Sequence, residues 1–307
     1  MRTVLLAGGT GGAKMAHGLQ QVLAPGELTV IVNVGDDNER HGLLVCPDLD
    51  TILYTLAGLA DPAQGWGVAG DTHTAMTMLE RYGDETWFRI GDSDMATHVR
   101  RGQLMREGAS LTDATAAMAS ALGVPSRLAP ATDDRLRTIV LTDDGELDFQ
   151  TYFVRRRQAD AVRSLRFDGA DAARPSAVAL EAIREAELIV IGPSNPLVSI
   201  GPIFAIPGMR EAVQAAGAPK VGVSGIVAGR AIRGPADRML ATLGHEPTAR
   251  GVATLYAAVL DRFVIDEADA ALAPEIEALG MSVSVLPTVM RSDDDRAALA
   301  RSVVALA

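Results

Sequence analysis

Short apolar runs alternate with longer segments of helical periodicity along most of this chain. The apolar runs are rich in Val, Ile and Leu and predict strands at 3–7, 28–34, 138–141, 188–191, 220–223, 263–265 and 283–286. The segments between them predict helices, among them 12–23, 178–185, 208–215 and 294–306. Runs without polar residues are typical of parallel strands that are covered on both faces. The pattern therefore predicts an α/β fold with a mostly parallel sheet flanked by helices.

Two regions depart from this alternation. Residues from about 71 to 125 have a helical pattern without intervening strands, and Ser110 with Asp113 matches a capping box. From 137 to 154, two runs flank the turn sequence Asp-Asp-Gly, which favours a β-hairpin. No repeat or linker-like tract divides the chain. We therefore predict a single α/β domain over 1–307, with a helical insertion at 71–125 and a hairpin at 137–154.

Composition and charge narrow the classes of function. The 307 residues carry a net charge of -11 and only 4% aromatic residues, whereas nucleic-acid-binding proteins need an excess of Lys and Arg and stacking surfaces. No apolar run approaches the roughly 18 residues that span a membrane. The single cysteine, Cys46, fits a reducing compartment. We expect a cytoplasmic protein that binds neither nucleic acid nor membrane.

The first predicted strand leads into a glycine-rich turn, GGTGGAK at 8–14. Glycines in such a turn let backbone N–H groups approach a phosphate, whose charge the N-terminus of the next helix favours. The spacing matches neither the dinucleotide fingerprint nor the P-loop. A tight turn alone would also fit, but five small residues in a row favour a phosphate site, with Thr10 as a further contact. Lys14 either contacts the same phosphate or is only an exposed charge on the helix.

Two acidic pairs follow the glycine-rich turn. Asp36 and Asp37 come directly after the second predicted strand, and Asp48 and Asp50 lie a short distance beyond. Ligands of open α/β sheets bind at the carboxyl ends of the strands. Carboxylates beside a phosphate indicate a divalent cation, although Asp48 and Asp50 also fit helix capping. Together the segments predict a site for a nucleotide diphosphate and a metal ion.

Other segments add candidate polar residues. The run 188–191 ends in Gly-Pro-Ser-Asn-Pro, where Ser194 and Asn195 either bind a ligand at the same sheet edge or form only a rigid turn. Arg89, in the helical insertion, offers a planar guanidinium to a phosphate or a ring. Asp94 is interpreted as a helix cap. The five histidines show no metal-ligand spacing.

Taken together, these segments resemble a known family. The motifs GGTGGAK, NVGDD, HGLLVCPDLDT, WFRIGDSDMATH, IGPSNPLVSIGPI and IPGMR occur in the order and approximate spacing of the 2-phospho-L-lactate transferases, whose bacterial members include phosphoenolpyruvate transferases. The motifs run from Gly8 to Arg210. The resemblance implies a modified Rossmann-like α/β fold with extra helices, a homodimer and a requirement for Mg²⁺.

The resemblance also implies a step in the biosynthesis of coenzyme F(420). The family transfers a phosphorylated three-carbon acid from a guanosine-diphosphate-linked donor to the ribityl hydroxyl of the deazaflavin Fo and releases GMP. The acid is phosphoenolpyruvate, 2-phospholactate or 3-phosphoglycerate, and all three stay open from the sequence.

The resemblance also implies roles for individual residues in the segments described above. Asp50 and Arg89 are the expected Fo-binding residues, and Asp50, with Asp36, is the expected catalytic residue. Asp50 would orient the attacking hydroxyl or take its proton. The expected metal ligands are Asp36, Asp37 and Asp50. The residues expected to bind the donor are Gly8, Gly9, Thr10, Gly11, Gly12 and Lys14 at the phosphates and Ser194 and Asn195 at the guanosine.

A second class of function is also compatible with part of the pattern. A neighbouring family of non-enzymatic regulators, which bind a nucleotide-sugar and control carbon flux or cell-wall synthesis, shares the glycine-rich start, the acidic pair and the later Gly-Pro turn. The PDLDT and WFRIGDSD segments favour the transferase, because a regulator needs no Fo site. An NAD-dependent oxidoreductase is disfavoured, since the dinucleotide fingerprint is absent.

Overall fold

The fold is built on a seven-stranded sheet in which every neighbouring pair runs parallel. A computed structural model describes residues 1–307. In the order of the sheet, its strands are β14 (Ser282–Leu286), β13 (Arg262–Asp266), β10 (Lys220–Val223), β9 (Leu188–Ile191), β1 (Thr3–Ala7), β2 (Leu28–Val32) and β5 (Arg127–Pro130). The predicted parallel, Rossmann-like α/β fold is confirmed.

The chain reverses its direction of progress across the sheet beside β1. From β1 it runs to β2 and β5 on one side, and it then returns to β9, β10, β13 and β14 on the other. β1 pairs with both β2 and β9, so that Leu6 lies between Ile31 and Ile191. Such a switch point opens a crevice between the carboxyl ends of adjacent strands, which is where open α/β sheets bind ligands.

Twelve helices flank the sheet and its extensions. α1 begins at Gly9, three residues before the predicted start, so the glycine-rich turn forms its first turn. None of the helices has both the length and the apolar character that crossing a membrane requires. The helices are α1 (Gly9–Val22), α2 (Pro47–Leu56), α3 (Thr74–Tyr82), α4 (Asp92–Arg106), α5 (Leu111–Ala121), α6 (Ala177–Glu185), α7 (Gly201–Ala205), α8 (Met209–Ala215), α9 (Ala236–Thr242), α10 (Ala249–Tyr256), α11 (Ala273–Glu277) and α12 (Asp293–Val304).

The predicted helical insertion consists of α3, α4 and α5. Its capping box is present, because the N–H of Asp113 donates to Ser110 Oγ at 3.0 Å and the Asp113 carboxylate accepts from the N–H of Ser110 at 3.3 Å. β5, which follows α5 and forms the sheet edge, was not predicted. Only four residues long and ending in Pro130, β5 lacks the apolar run that marks the other strands.

The predicted hairpin is part of a larger unit. β6 (Arg137–Thr142) and β7 (Gly145–Asp148) pair antiparallel around the predicted turn, and β8 (Val162–Asp168) pairs with the other edge of β6. The run at 138–141 therefore belongs to a separate three-stranded sheet. β8 was missed because its charged residues mask its alternation. The remaining strands form two short hairpins, β3 (Asn38–Arg40) with β4 (Leu43–Val45) and β11 (Ile226–Val227) with β12 (Arg230–Ala231).

A cluster of 60 buried apolar residues forms the main core around the parallel sheet. A smaller cluster of Val140, Tyr152, Val162, Val198 and Met239 joins the three-stranded sheet to α9 and to the turn after β9. The single domain over 1–307 stays a prediction.

The contact between α1 and α12 provides a test of close packing. A methyl group on Gly18 of α1 would lie 2.2 Å from the carbonyl oxygen of Arg296. Ala normally stabilises a helix interior by about 0.5–1 kcal/mol relative to Gly, but overpacking costs about 1–3 kcal/mol. We therefore expect Gly18→Ala to lower the free energy of unfolding, measured by denaturant titration. Gly102→Ala in α4 is the matched control, since its methyl group would meet only the flexible end of Arg106. If Gly18→Ala and Gly102→Ala raised the free energy of unfolding equally, the close contact between α1 and α12 would be contradicted.

Candidate functional site

A cavity of about 680 Å³ lies at the switch point, at the carboxyl edge of the parallel sheet. Its walls come from the turns after β1, β9 and β10, the start of α2, the helical insertion and the segment after β7. Gly12 and Asp37 do not line it. The predicted site residues that do line it are Gly8, Gly9, Thr10, Gly11, Lys14, Asp36, Asp50, Arg89, Ser194 and Asn195.

The glycine-rich turn packs closely against two other segments of the site. A methyl group on Gly8 would lie 2.3 Å from Asp48 Oδ2, and one on Gly11 would lie 2.2 Å from the carbonyl oxygen of Pro193. Ser194 Oγ accepts from the N–H of Gly8 at 3.1 Å and donates to its carbonyl oxygen at 2.9 Å. The absence of side chains thus lets the ends of β1 and β9 meet, with Ser194 joining them.

The first turn of α1 also presents free hydrogen-bond donors. Gly9 has a φ of 64° and its N–H donates to Asp48 Oδ1 at 2.6 Å. The N–H groups of Thr10 and Gly11 have no acceptor within the protein. Both residues line the cavity at the N-terminus of a 14-residue helix. Unpaired N–H groups and the helix dipole together favour an anion at this position.

Two cationic side chains flank these donors. Lys14 Nζ donates to the carbonyl oxygen of Met290 at 2.8 Å, and burial lowers the pKa of Lys14, with smaller effects from the charges of Arg296 and Arg233. Arg233 donates to the carbonyl oxygens of Gln64 and, at 3.1 Å, Ala63. Neither Lys14 nor Arg233 has a carboxylate partner. We call this part of the cavity, with Thr10, Gly11, Lys14 and Arg233, the basic end.

Two buried carboxylates line the cavity. Asp36 and Asp48 are 5% and 8% exposed, and Asn33 Nδ2 donates to both, at 3.4 Å to Asp36 and 2.9 Å to Asp48. Neither forms an ion pair with a basic side chain. Burial raises the pKa of Asp36 well above its ordinary value, with Asp48 and Asp37 adding like-charge repulsion, and burial raises the pKa of Asp48 to about 6. The pair therefore attracts protons or a metal cation.

Asp50, in contrast, is neutralised by the protein itself. The buried guanidinium of Arg101 forms an ion pair with Asp50 Oδ1, and His98 Nδ1 lies 3.6 Å from Asp50 Oδ2. His98 Nε2 lies 3.4 Å from Asp94 Oδ1, which accepts a hydrogen bond from Tyr54 at 2.7 Å. Single ligand atoms of Asp50, Asp94 and His98 lie within 4.8 Å of one another. Asp94 is thus part of the site, and its interpretation as a helix cap was wrong, because α4 has no side-chain cap and the Asp94 carboxylate contacts Tyr54 and His98 instead.

Asp37 lies behind the cavity wall. It is buried, its Oδ1 has no hydrogen-bond partner, and burial raises its pKa to about 7. It lies against Cys46, and burial raises the pKa of this buried thiol well above its ordinary value.

Aromatic side chains line the side of the cavity formed by the two insertions. Trp87 and Phe88 meet edge to face with 6.0 Å between ring centroids, and Phe149 and Phe153 stack at 5.4 Å. Arg89, which is exposed, lines the cavity beside them. We call these four rings with Arg89 the aromatic end.

Several residues of the site were missed from the sequence. His98 and Arg101 were given no role, although the spacing of Asp94, His98 and Arg101 places them on one face of a helix. That spacing was an available signal. Asn33, Phe149 and Phe153 carry no local signal, because only the tertiary fold brings them to the cavity.

The sequence matches a known family over most of its length. The profile of the family described as 2-phospho-L-lactate transferase CofD matches residues 3–287. A phosphoenolpyruvate transferase of Kitasatospora aureofaciens is 44% identical over 100% of this chain and 98% of its own length, and one of Mycolicibacterium smegmatis is 40% identical over 100% and 99%.

A solved structure shows the same fold at low sequence identity. It is a member of the UPF0052 family from Bacillus halodurans, 17% identical, with a TM-score of 0.65 over 98% of both chains. The family profile and the near-full-length relatives identify the sequence more closely. The chain belongs to the 2-phospho-L-lactate transferase family, and it is a transferase of coenzyme F(420) biosynthesis.

Proposed function

We propose that this protein transfers a phosphorylated three-carbon acid from a guanosine-diphosphate-linked donor to the ribityl hydroxyl of Fo, with release of GMP. The observation that supports this most is the division of one cavity into a basic end and an aromatic end, with a buried carboxylate pair between them. A diphosphate needs a basic environment and a planar deazaflavin needs an aromatic one. The reaction requires that the two substrates lie in contact with each other.

The basic end suits the phosphates of the donor. The free N–H groups of Thr10 and Gly11 are neutral donors aligned with a helix dipole, and Lys14 and Arg233 add positive charge without a carboxylate to compete for it. The hydroxyl of Ser194 is already hydrogen-bonded to the backbone of Gly8, and Asn195 Oδ1 accepts from the N–H of Leu197 at 2.9 Å. Their proposed contribution on the guanosine side is therefore to shape the wall and to offer the Asn195 amide group.

The carboxylate pair fits Mg²⁺. Asp36 and Asp48 are buried, near each other and in no ion pair with a basic side chain, and oxygen ligands are those that Mg²⁺ prefers. We propose that these two hold the metal, which when bound neutralises charge on the diphosphate. The predicted roles of Asp37 and Asp50 as ligands stay predictions. Asp37 lies behind the wall, and Asp50 already has Arg101 as its counter-charge.

The aromatic end suits Fo. Its rings offer flat apolar surface, Arg89 offers a guanidinium, and Asp50 lies on the same side of the cavity as Asp94 and His98. Because Arg101 fixes the Asp50 carboxylate, we propose that Asp50 orients the ribityl hydroxyl for attack on phosphorus. Positioning of this kind accounts for much of the rate in phosphoryl transfer.

The names of the relatives support one of the three acids. The similar proteins of Kitasatospora aureofaciens and Mycolicibacterium smegmatis are both named phosphoenolpyruvate transferases, and both align over the whole of this chain. We therefore propose phosphoenolpyruvate. The regulator alternative gains no support from the UPF0052 structure, since a likeness at 17% identity concerns the fold alone. A cytoplasmic location and a homodimer stay predictions.

A turnover assay tests the proposed reaction directly. The purified protein is incubated with Fo, Mg²⁺ and each of three guanosine-linked donors, carrying phosphoenolpyruvate, 2-phospholactate or 3-phosphoglycerate, and products are identified by mass spectrometry. We expect GMP and a phosphodiester-linked deazaflavin, formed fastest from the phosphoenolpyruvate donor. Absence of product with every donor, together with failure to bind Fo, would contradict the transferase and favour the nucleotide-sugar-binding regulator.

The two ends of the cavity predict opposite effects on the two substrates. Arg89→Gln removes a cation at the aromatic end and should raise KM for Fo about tenfold, with little change in KM for the donor. Lys14→Gln should raise KM for the donor, with little change in KM for Fo. Arg100→Gln is the control. It changes an exposed arginine of α4 and should leave KM for Fo and KM for the donor unchanged. Parallel changes in both constants for either variant would argue against separate ends.

The carboxylate pair predicts a pH-dependent effect of Mg²⁺ on stability. A carboxyl group with a raised pKa in the folded state binds more protons than in the unfolded chain. Without metal, the contribution of Asp48 to the free energy of unfolding should therefore fall as pH rises from its ordinary pKa of 3.8 to about 6. Mg²⁺ needs the ionised groups, so its stabilising effect should grow over the same range.

Thermal unfolding with EDTA or Mg²⁺ at pH 5 and pH 8 measures this effect. At 100 times the Kd, binding adds about 2.7 kcal/mol to the free energy of unfolding. Asp36→Asn should abolish the Mg²⁺-dependent increase in Tm, whereas Asp294→Asn at the start of α12 should retain it. An undiminished increase in Asp36→Asn would place the metal elsewhere.

A further inference from the structure

A second cavity, of about 340 Å³, lies behind the turn that follows β9. It is bounded by β8, α7, α8 and the end of α10. None of its lining residues lines the first cavity, but the two share the π-helical turn Pro196–Ile200 as a wall. Pro196 and Leu197 face the second cavity, whereas Val198 and Ser199 face the first.

The lining of the second cavity is apolar with a small cationic region. Arg210 and His245 are its basic groups, and no carboxylate lines it. Arg210 ends the IPGMR motif, for which the proposed transfer reaction has no use. Its guanidinium lies over the ring of Phe204 at 4.4 Å and makes no ion pair or side-chain hydrogen bond. A cation beside an apolar cavity, with no internal counter-charge, favours an anionic occupant.

Tyr256 gives an independent indication of a polar ligand. Its side chain is 3% exposed, and its hydroxyl is buried with no hydrogen-bond partner. A buried hydroxyl without a partner destabilises the fold, and Phe would fill nearly the same space without that cost. Burial raises the pKa of Tyr256 above its ordinary value, so the hydroxyl keeps its proton and remains a hydrogen-bond donor.

We propose that this cavity binds a small organic anion, a carboxylate or phosphate monoester with an apolar body about the size of a phenyl ring. Arg210 pairs with the anionic group and Tyr256 donates a hydrogen bond to it, while Phe204, Leu243 and Leu255 surround the apolar body. The volume falls within the range of roughly 300–1,000 Å³ that is typical of small-molecule sites. The proposal is independent of the transfer reaction.

Ligand-observed NMR titration with three probes of similar shape tests the proposal. Phenylacetate and phenyl phosphate supply the two kinds of anion, and benzyl alcohol is the uncharged control. We expect wild-type protein to bind at least one anion more tightly than the alcohol, and the stronger anion identifies the class of head group. Arg210→Gln should weaken that binding about tenfold and Tyr256→Phe about three- to tenfold. Arg184→Gln and Tyr82→Phe, which change exposed residues, should not.

Stability separates loss of the ligand from loss of the fold. Without any probe, Tyr256→Phe should have a Tm equal to or higher than that of the wild type, because the unpaired hydroxyl is removed. Binding that persists undiminished in both Arg210→Gln and Tyr256→Phe would place the probe in the first cavity and overturn the proposal. Equal affinity for benzyl alcohol, or no binding of either anion to the wild type, would also overturn it.

Discussion

The site is organised around two buried carboxyl groups that form no ion pair, at the edge of the sheet. Asp36 and Asp48 are both buried, and only Asn33 and the N–H of Gly9 donate hydrogen bonds to their carboxylate groups. Burial of such a pair is costly unless a cation or protons arrive. The glycines of the turn after β1 make the arrangement possible, since any side chain on Gly8 would strike Asp48. The same turn leaves free N–H groups for an anion, so groups of both signs that the proposed metal–diphosphate complex requires lie beside the first turn of α1.

The parallel sheet provides the crevice, but the insertions provide much of the chemistry. Trp87, Arg89, Asp94 and His98 come from the helical insertion, and Phe149 and Phe153 come from the segment after β7. This division explains how a UPF0052 protein shares the fold at 17% identity without any implied likeness of function. In this chain, recognition of Fo is proposed to depend on segments that interrupt the sheet.

The sequence predicted the strands and polar residues that a short segment of the chain can identify by itself. Continuous apolar runs identified most strands of the parallel sheet, because strands covered on both faces have no need of polar residues. β5 and β8 were not predicted, β5 because Arg127 and Pro130 leave it without a continuous apolar run and β8 because charged residues interrupt it. The glycine turn and the acidic pairs were recognised by chemistry next to strand ends. The partner of Asp50 was not, since Arg101 lies 51 residues away and only the packing of α4 against β4 brings it into contact.

The lone thiol of this protein has a practical consequence. Cys46 is fully buried at the N-cap of α2, next to Asp37 and two residues before Asp48. Burial raises its pKa and keeps it in the thiol form, so that it reacts slowly with electrophiles while the fold is closed. Its labelling rate therefore reports how often the acidic centre opens, without any engineered probe. A cysteine introduced at the surface would be modified far sooner, so spectroscopic labels can be placed one at a time on the native background.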